Sequence, residues 1–357
     1  MNSQYSFYTS VTMPSLLPSG DIGAILDEFI SESSVTNAWT DATVRMVRVL
    51  KSHILRFGEA AGPDYFDREG LDRFVSYLRT ETQMKESSCR KQYMNLRWFL
   101  GWACRKGYCT QSASLGYTPK FKIAERPVIF LTPEELNALY NLSIPREGSR
   151  VTLKDFDGRL YRKTVRNCAD LDLARDLFCF CAFTSLRYSD MAALRRSDIR
   201  DGTLSLVMRK TGTRVRIELG SQAKAILARY QSSFACCRSS ATPDGKVFPP
   251  IGNQRMNALV RELCELAMIN NPVASVCYRA GRREESVLPK WARVTTHAAR
   301  RTFICFALAQ GIPPQVVMKW TGHSDYKAMK PYIDVAEKTR SEAMDSLSAA
   351  WRASLGG

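Results

Sequence analysis

The chain has 357 residues, 45% hydrophobic and 24% charged, which is long and apolar enough for two domains with cores of their own and excludes a disordered or fibrous protein. Lys and Arg number 51 against 35 Asp and Glu, so the formal net charge is +16 and a polyanion is the first partner to test. The longest apolar runs, Leu177 to Phe183 and Phe303 to Ala309, fall far short of the roughly 20 residues that span a bilayer. The opening residues MNSQYSFYTS show no secretory signal, so a cytoplasmic protein is expected. The 11 cysteines are odd in number and scattered through ordinary core patterns, which predicts buried thiols rather than a disulfide framework. No C-x-x-C occurs and the histidines are only His53, His297 and His323, so no metal site is expected.

After a tail over 1–20, residues 21–110 carry four helical patterns in close order and read as a small helical bundle. Val44, Val47, Leu50, Ile54 and Leu55 form one stripe, and Leu71, Phe74, Val75 and Leu78 another. The clearest pattern runs from Lys85 to Lys106, with Cys89, Tyr93, Leu96, Phe99, Leu100, Ala103 and Cys104 on one side and Gly107 as the stop. Its other side carries Lys85, Arg90, Lys91, Arg97, Arg105 and Lys106, a nearly one-signed run that predicts contact with DNA phosphates.

Residues 111–128 break the periodicity with Pro119, Pro127 and Gly116 and read as a linker. A second, mainly helical domain is expected over 129–335, opening where Thr132 can cap, Pro133 fits the first helical position and Glu135 can close a capping box. One hairpin interrupts it: Leu204, Leu206 and Met208 alternate before a Lys210-Thr211-Gly212-Thr213 turn, and Val215, Ile217 and Leu219 after it. The stretch from Asn271 to Lys290 reads as an irregular or partly extended insertion. Residues 336–357 place Met344, Leu347, Trp351 and Leu355 on one stripe of a last helix. The fold class is therefore mainly α with a small β-hairpin, an α+β second domain following a helical bundle.

Four clusters of the second domain hold groups suited to phosphate chemistry. Arg187 follows the apolar run LFCFCAF and so needs an anionic partner, either Asp190 or a ligand phosphate. Lys210 sits at the hairpin tip, where a lysine is ordinarily a solvated charge. His297 and Arg300 lie three apart at a helix start and point the same way. The last cluster is Thr321-Gly322-His323, with Tyr332 nine residues beyond His323.

In this order, with R-x-x-D at Arg187 and Asp190, H-x-x-R at His297 and Arg300, and G-H at Gly322 and His323, the second domain resembles the tyrosine recombinase (phage integrase) family. The bundle before it is similar to that family's SAM-like core-binding domain. The resemblance implies that Tyr332 attacks a DNA phosphodiester, leaving a 3′-phosphotyrosine and a free 5′-hydroxyl. Arg187 and Arg300 match the family's phosphate clamp, His323 its further donor to that phosphate, His297 its histidine assisting proton transfer near the nucleophile and Lys210 its general acid. Asp190 stands where glutamate is commoner and has a shorter reach to whatever orients Arg187. Ala299 and Thr321 stand where leucine is usual, both read as packing positions, and Tyr326 matches an apolar position. A phosphate held by so many donors needs no metal, so no cofactor is expected.

The resemblance further implies a bacterial or phage-encoded enzyme that acts in the cytoplasm on chromosomal DNA carrying a specific site. A tetramer on DNA, with the last helix docking between subunits, belongs to the same expectation. Two other readings share these residues: a type IB topoisomerase, and a DNA-binding regulator that keeps the fold without cleaving.

Overall fold

The computed structural model describes residues 21–109, 116–236 and 245–337. Two compact units make up the chain, Met1–Arg126 with Ser275–Ser286, and Pro127–Ala274 with Val287–Gly357.

The first unit is built from α1 (Ile22–Thr36), α2 (Asp41–Phe57), α3 (Arg68–Thr80) and α4 (Glu86–Arg105). Side-chain caps start two of them: Thr40 Oγ1 accepts from the Thr43 N–H, and Asp67 accepts from the Gly70 N–H at 2.8 Å. The expected stripes bury Val47, Leu50, Ile54, Leu71, Phe74, Leu78, Tyr93, Leu96 and Phe99, but Leu55 faces solvent, one position beyond the buried edge of α2. Phe29 of α1 lies in an aromatic cluster, its ring centroid 5.4 Å from Trp39 and 5.3 Å from Trp102; burial of such a ring stabilises the bundle by about 2–3 kcal/mol. Helix α4 stops at Gly107, whose φ of +83 gives the left-handed turn that releases the chain. Across that turn Cys104 and Cys109, expected as thiols, form a disulfide, their Cα atoms 4.8 Å apart. The cysteines Cys89, Cys179, Cys181, Cys264 and Cys305 are buried thiols.

The second unit opens with α5 (Pro133–Tyr140), which has the capping box between Thr132 and Glu135. There follow strands β1 (Arg150–Lys154) and β2 (Leu160–Thr164), α6 (Cys168–Thr184), the short α7 (Tyr188–Met191), and β3 (Ile199–Arg200), β4 (Thr203–Val207) and β5 (Arg214–Glu218). Then come α8 (Ser221–Cys236), α9 (Asn253–Leu266), β6 (Pro272–Arg279), β7 (Arg282–Pro289), α10 (Lys290–Arg293), α11 (Thr296–Ala309) and α12 (Pro314–Thr321), with a last helical run over 330–337; Ser275–Ser286 of β6 and β7 belong to the first unit. The fold is mainly helical with small antiparallel sheets.

In place of one hairpin the described residues hold three sheets, β1-β2, β3-β4-β5 and β6-β7. Asn271 to Lys290, expected as irregular or partly extended, is a regular hairpin of two strands. In the middle sheet Leu204 pairs with Ile217 and Leu206 with Val215, so the apolar positions of both strands share the face that meets the core. That core is centred on α6, whose Leu171, Leu177, Phe178 and Phe180 are fully enclosed. A smaller cluster joins α11, α12 and the last helical run through Ile304, Leu308, Val317 and Ala336, with Met329 just before that run. No described helix is long and apolar enough to cross a membrane. The Met344, Leu347, Trp351 and Leu355 stripe lies outside the described residues.

Candidate active site

Helix α6 ends at Ser185, which takes a left-handed φ of +62, and helix α12 ends at Gly322 with φ +61. Each end leaves carbonyls with no partner inside its helix. Arg300, on the inner face of α11 and only 1% exposed, caps both: its Nη1 donates to the Ser185 carbonyl at 2.8 Å and its Nη2 to the Thr321 carbonyl. The planar guanidinium suits this bridging, which an ammonium could not span. Its Nε has no partner.

Arg187 caps the start of α7, and Asp190 within that helix is buried. The two approach only loosely, with Nη1 and Oδ2 4.0 Å apart, and both atoms are enclosed without a hydrogen bond. Asp190 spends its other oxygen on the backbone, Oδ1 accepting from the Arg209 N–H at 2.9 Å. That bond ties the arginine-bearing turn to the β4-β5 turn where Lys210 stands exposed. Asp190 therefore orients the site but leaves the Arg187 guanidinium under-neutralised. Ser185 Oγ is also buried and unpartnered.

Gly322 makes the approach of His323 possible. A Cβ there would lie 3.3 Å from Val215 Cγ1 and 3.4 Å from Met208 Cγ, besides straining its positive φ. The residue beyond, His323, holds its Nδ1 2.8 Å from Thr321 Oγ1 and its Nε2 3.3 Å from Arg300 Nη2. Because Thr321 Oγ1 already donates to the Val317 carbonyl at 2.8 Å and Arg300 can only donate, the consistent assignment is a neutral ring with its proton on Nδ1. Thr321 thus corrects the sequence expectation: it sets the tautomer of His323 as well as packing. Ala299 is fully buried, as a packing position should be.

The electrostatics bind the remaining groups to the same place. Burial, then the charges of Arg300 and Arg187, His297 and Lys210, hold His323 down at about 4. His297 is likewise pushed down to about 4 by burial first and then by Arg301, Arg300, Arg187 and Lys210. Arg300 is lowered to about 9 by burial and by Arg187, against opposing contributions from Tyr332 and Asp190, and stays charged at neutral pH. Several cations with one buried carboxylate make a strongly positive pocket, suited to an anion with several oxygens.

Tyr332 lies on the helical run 330–337 and packs its ring against the small cluster of Ile304, Leu308 and Met329. Pro331 before it falls in the first turn of that run, where its missing N–H costs nothing. Tyr326, expected in packing, is 52% exposed. Arg187, Asp190, Lys210, His297, Arg300, His323 and Tyr332 are thus all in the second unit and linked by contact or charge. Among the described residues no group of three or more His, Cys, Asp or Glu side chains could hold a metal.

On α4, Arg90, Lys91 and Arg105 are exposed, while Arg97 is half-buried. Lys85 precedes the helix and bridges to Arg279, whose guanidinium donates to the Gln83 carbonyl. Lys106 caps the helix, pairs with Glu32 at 2.5 Å and lies over the Trp102 ring. Lys85 and Lys106 therefore lie off the outer arc on which the sequence reading placed them.

The fold is shared with several solved structures. Lambda integrase in a dimer bound to a COC′ core site aligns with a TM-score of 0.61 and 16% identity, over 87% of this chain and 95% of that one. The Tn1549 transposon integrase in complex with a circular intermediate DNA aligns at 0.62 with 13% identity, over 90% and 99%. A lambda integrase tetramer bound to a Holliday junction aligns at 0.56 with 16% identity, over 85% and 77%. No curated protein sequence matches significantly. Residues 159–339, about half of the chain, match the phage integrase family and contain every residue of the pocket described above, so this chain belongs to that family, the tyrosine recombinases.

Proposed function

We propose that this protein is a site-specific DNA recombinase that cuts and rejoins strands through Tyr332. Arg187 and Arg300 grip the non-bridging oxygens of the scissile phosphate, and their unsatisfied N–H groups gain partners as they do so. The Tyr332 hydroxyl attacks phosphorus and gives up its proton, for which His297, neutral at physiological pH, is the acceptor. The bond from phosphorus to the 5′-oxygen breaks, and Lys210 delivers a proton to that oxygen. The product is a 3′-phosphotyrosine and a free 5′-hydroxyl. Because one phosphate ester has replaced another of similar energy, a second 5′-hydroxyl can attack and reseal without ATP.

His323 changes role during the reaction. Its Nε2 accepts from Arg300 Nη2. A bound phosphate competes for that guanidinium and favours a proton on Nε2, so the ring becomes a donor to the phosphate.

The helical unit, with Arg90, Lys91, Arg97 and Arg105 of α4, supplies sequence-independent grip on the duplex. Lambda integrase bound to a core site, and as a tetramer on a Holliday junction, supports a DNA partner and a tetramer for this chain in the cytoplasm. The observation that carries the proposal is the buried Arg300, which joins two helix ends and shares one field with Arg187, His297, His323 and Tyr332.

The test is recovery of the protein from cells under denaturing conditions, with sequencing of the attached DNA. Ends clustered at one sequence, present with Tyr332 and absent with Tyr332→Phe, are expected. Scattered ends would mark a topoisomerase, and no attached DNA a protein that binds without cutting.

A further inference from the structure

Hairpin β1-β2 lies outside the catalytic pocket and has two unlike faces. Its register pairs Val151 with Lys163 and Leu153 with Tyr161 on one face, and Arg150 with Thr164, Thr152 with Arg162 and Lys154 with Leu160 on the other. The first face is turned inward. Leu153 is buried, the Tyr161 hydroxyl donates to Glu265, and Lys163 is ion-paired to Glu265 and, at 3.6 Å, to Glu262 of α9. The second face is wholly exposed.

The cations divide in the same way. Between 146 and 166 the chain has seven Lys or Arg against three Asp or Glu. All three carboxylates are committed to backbone: Glu147 accepts from the N–H groups of Asn167 and Cys168, Asp155 from Phe156, and Asp157 from Arg159. The inward lysine has its acids. Arg150, Lys154 and Arg162 on the outer face, with Arg159 in the turn, make no ion pair with a described residue.

We infer that this outer face is a docking surface for the phosphate backbone of duplex DNA, additional to the catalytic pocket and to α4. Charge complementarity names the occupant. Alternate residues of a strand stand roughly 7 Å apart, so Arg150 and Lys154 span about 14 Å, comparable to about four base-pair rises of roughly 3.4 Å along the duplex axis. Between the two cations stands Thr152, and beside Arg150 stands Thr164, hydroxyls that donate to phosphate oxygens without adding charge. No base-reading element is needed, so the contact adds affinity at any sequence. The inference rests on the recombinase reading for its choice of DNA.

The test compares full-length wild type with the triple variant Arg150→Gln/Lys154→Gln/Arg162→Gln for binding to a duplex across a salt series. At about 150 mM salt the variant should bind at least tenfold more weakly, and its log–log salt slope should fall by about 2 to 3, near 0.9 for each phosphate no longer neutralised. A second variant, Thr152→Glu, keeps every cation yet repels phosphate at the centre of the face, and should also weaken binding severalfold. Melting curves confirm that both variants fold. An unchanged slope and affinity in both would overturn the inference and leave the face merely solvated.

Covalent trapping of the wild type on a nicked duplex separates the two readings. A reduced slope in the triple variant without a trapped adduct would retain the hairpin surface and refute the strand-cutting reading. A trapped adduct with an unchanged slope would do the reverse. Failure of the wild type to bind duplex at all would remove both.

Discussion

Arg300 and the arginines of α4 are the same side chain in opposite circumstances. The α4 residues Arg90 and Arg105 stand in solvent on the outside of a packed helix, and nothing in the fold depends on their heads. Arg300 is enclosed, its guanidinium satisfying the carbonyls left over at the ends of α6 and α12. The cation proposed to grip the phosphate is thus also a part of the scaffold that shapes the pocket. Removing an α4 arginine subtracts charge; removing Arg300 subtracts charge and unfastens two helix ends.

The sharpest way to break this contrast is Arg300→Ala. Cleavage should fall by two to three orders of magnitude, as when an oxyanion donor is removed. Stability in urea should fall by about 2–4 kcal/mol, because two enclosed carbonyls lose their donor. Arg300→Lys should recover part of the stability and little of the cleavage, since one ammonium cannot bridge both carbonyls. Full stability in Arg300→Ala would remove the scaffold role.

Gly322→Ala should come next. The forced left-handed φ and the approach to Val215 predict about 1–3 kcal/mol of destabilisation. Cleavage should be reduced with DNA affinity retained, because His323 shifts while the exposed cations stay. An alanine variant with normal stability and cleavage would show that the approach of α12 to the β4-β5 hairpin is not tight.

The pH response separates the pocket from the helix surface again. His297 and His323 are held near 4 when folded, against 6.5 for a free imidazole. Unfolding therefore takes up protons between these values, so stability is full above about 6.5 and declines as pH falls toward 4. A bound phosphate reverses the local sign by favouring the imidazolium. Affinity for duplex should accordingly rise as pH falls through this window, with less rise in His323→Gln. Helix α4 carries no histidine and should contribute nothing to it.

The smallest effect is expected on α4 itself. Arg90→Gln/Lys91→Gln should weaken binding uniformly across DNA sequences and lower the salt slope by about 1 for each phosphate that these side chains neutralise. Lys106→Gln should change the slope less, because Glu32 and Trp102 already hold that lysine. Equal effects would mean that the Glu32 pair opens on DNA.

Legibility in the sequence depends on how local each signal is. The stripes of α3 and α4, the Thr132 capping box and the alternation around Lys210 are written within a few residues and appear where expected. The candidate site residues stand out as spacings within a motif order, since Arg187 with Asp190 and His297 with Arg300 each lie one helical turn apart. Hairpin β1-β2 escaped notice because its apolar side holds little more than Val151, Leu153 and Tyr161. Its Asp157-Gly158 turn was the available signal. The role of Thr321 was not legible at all, because it depends on a helix ending at Gly322 and turning the His323 ring back. Nor was the Cys104–Cys109 pairing, which requires the left-handed step at Gly107.

The most direct measurement is trapping on a duplex nicked beside the cleavage point, so that the released fragment diffuses away and the covalent protein–DNA adduct accumulates. Proteolysis and mass spectrometry of the adduct should find nucleotide on the peptide containing Tyr332, and Tyr332→Phe should form none while still binding the duplex. An adduct on another residue such as Tyr326, or an undiminished adduct in Tyr332→Phe, would contradict the assignment of Tyr332 as the nucleophile.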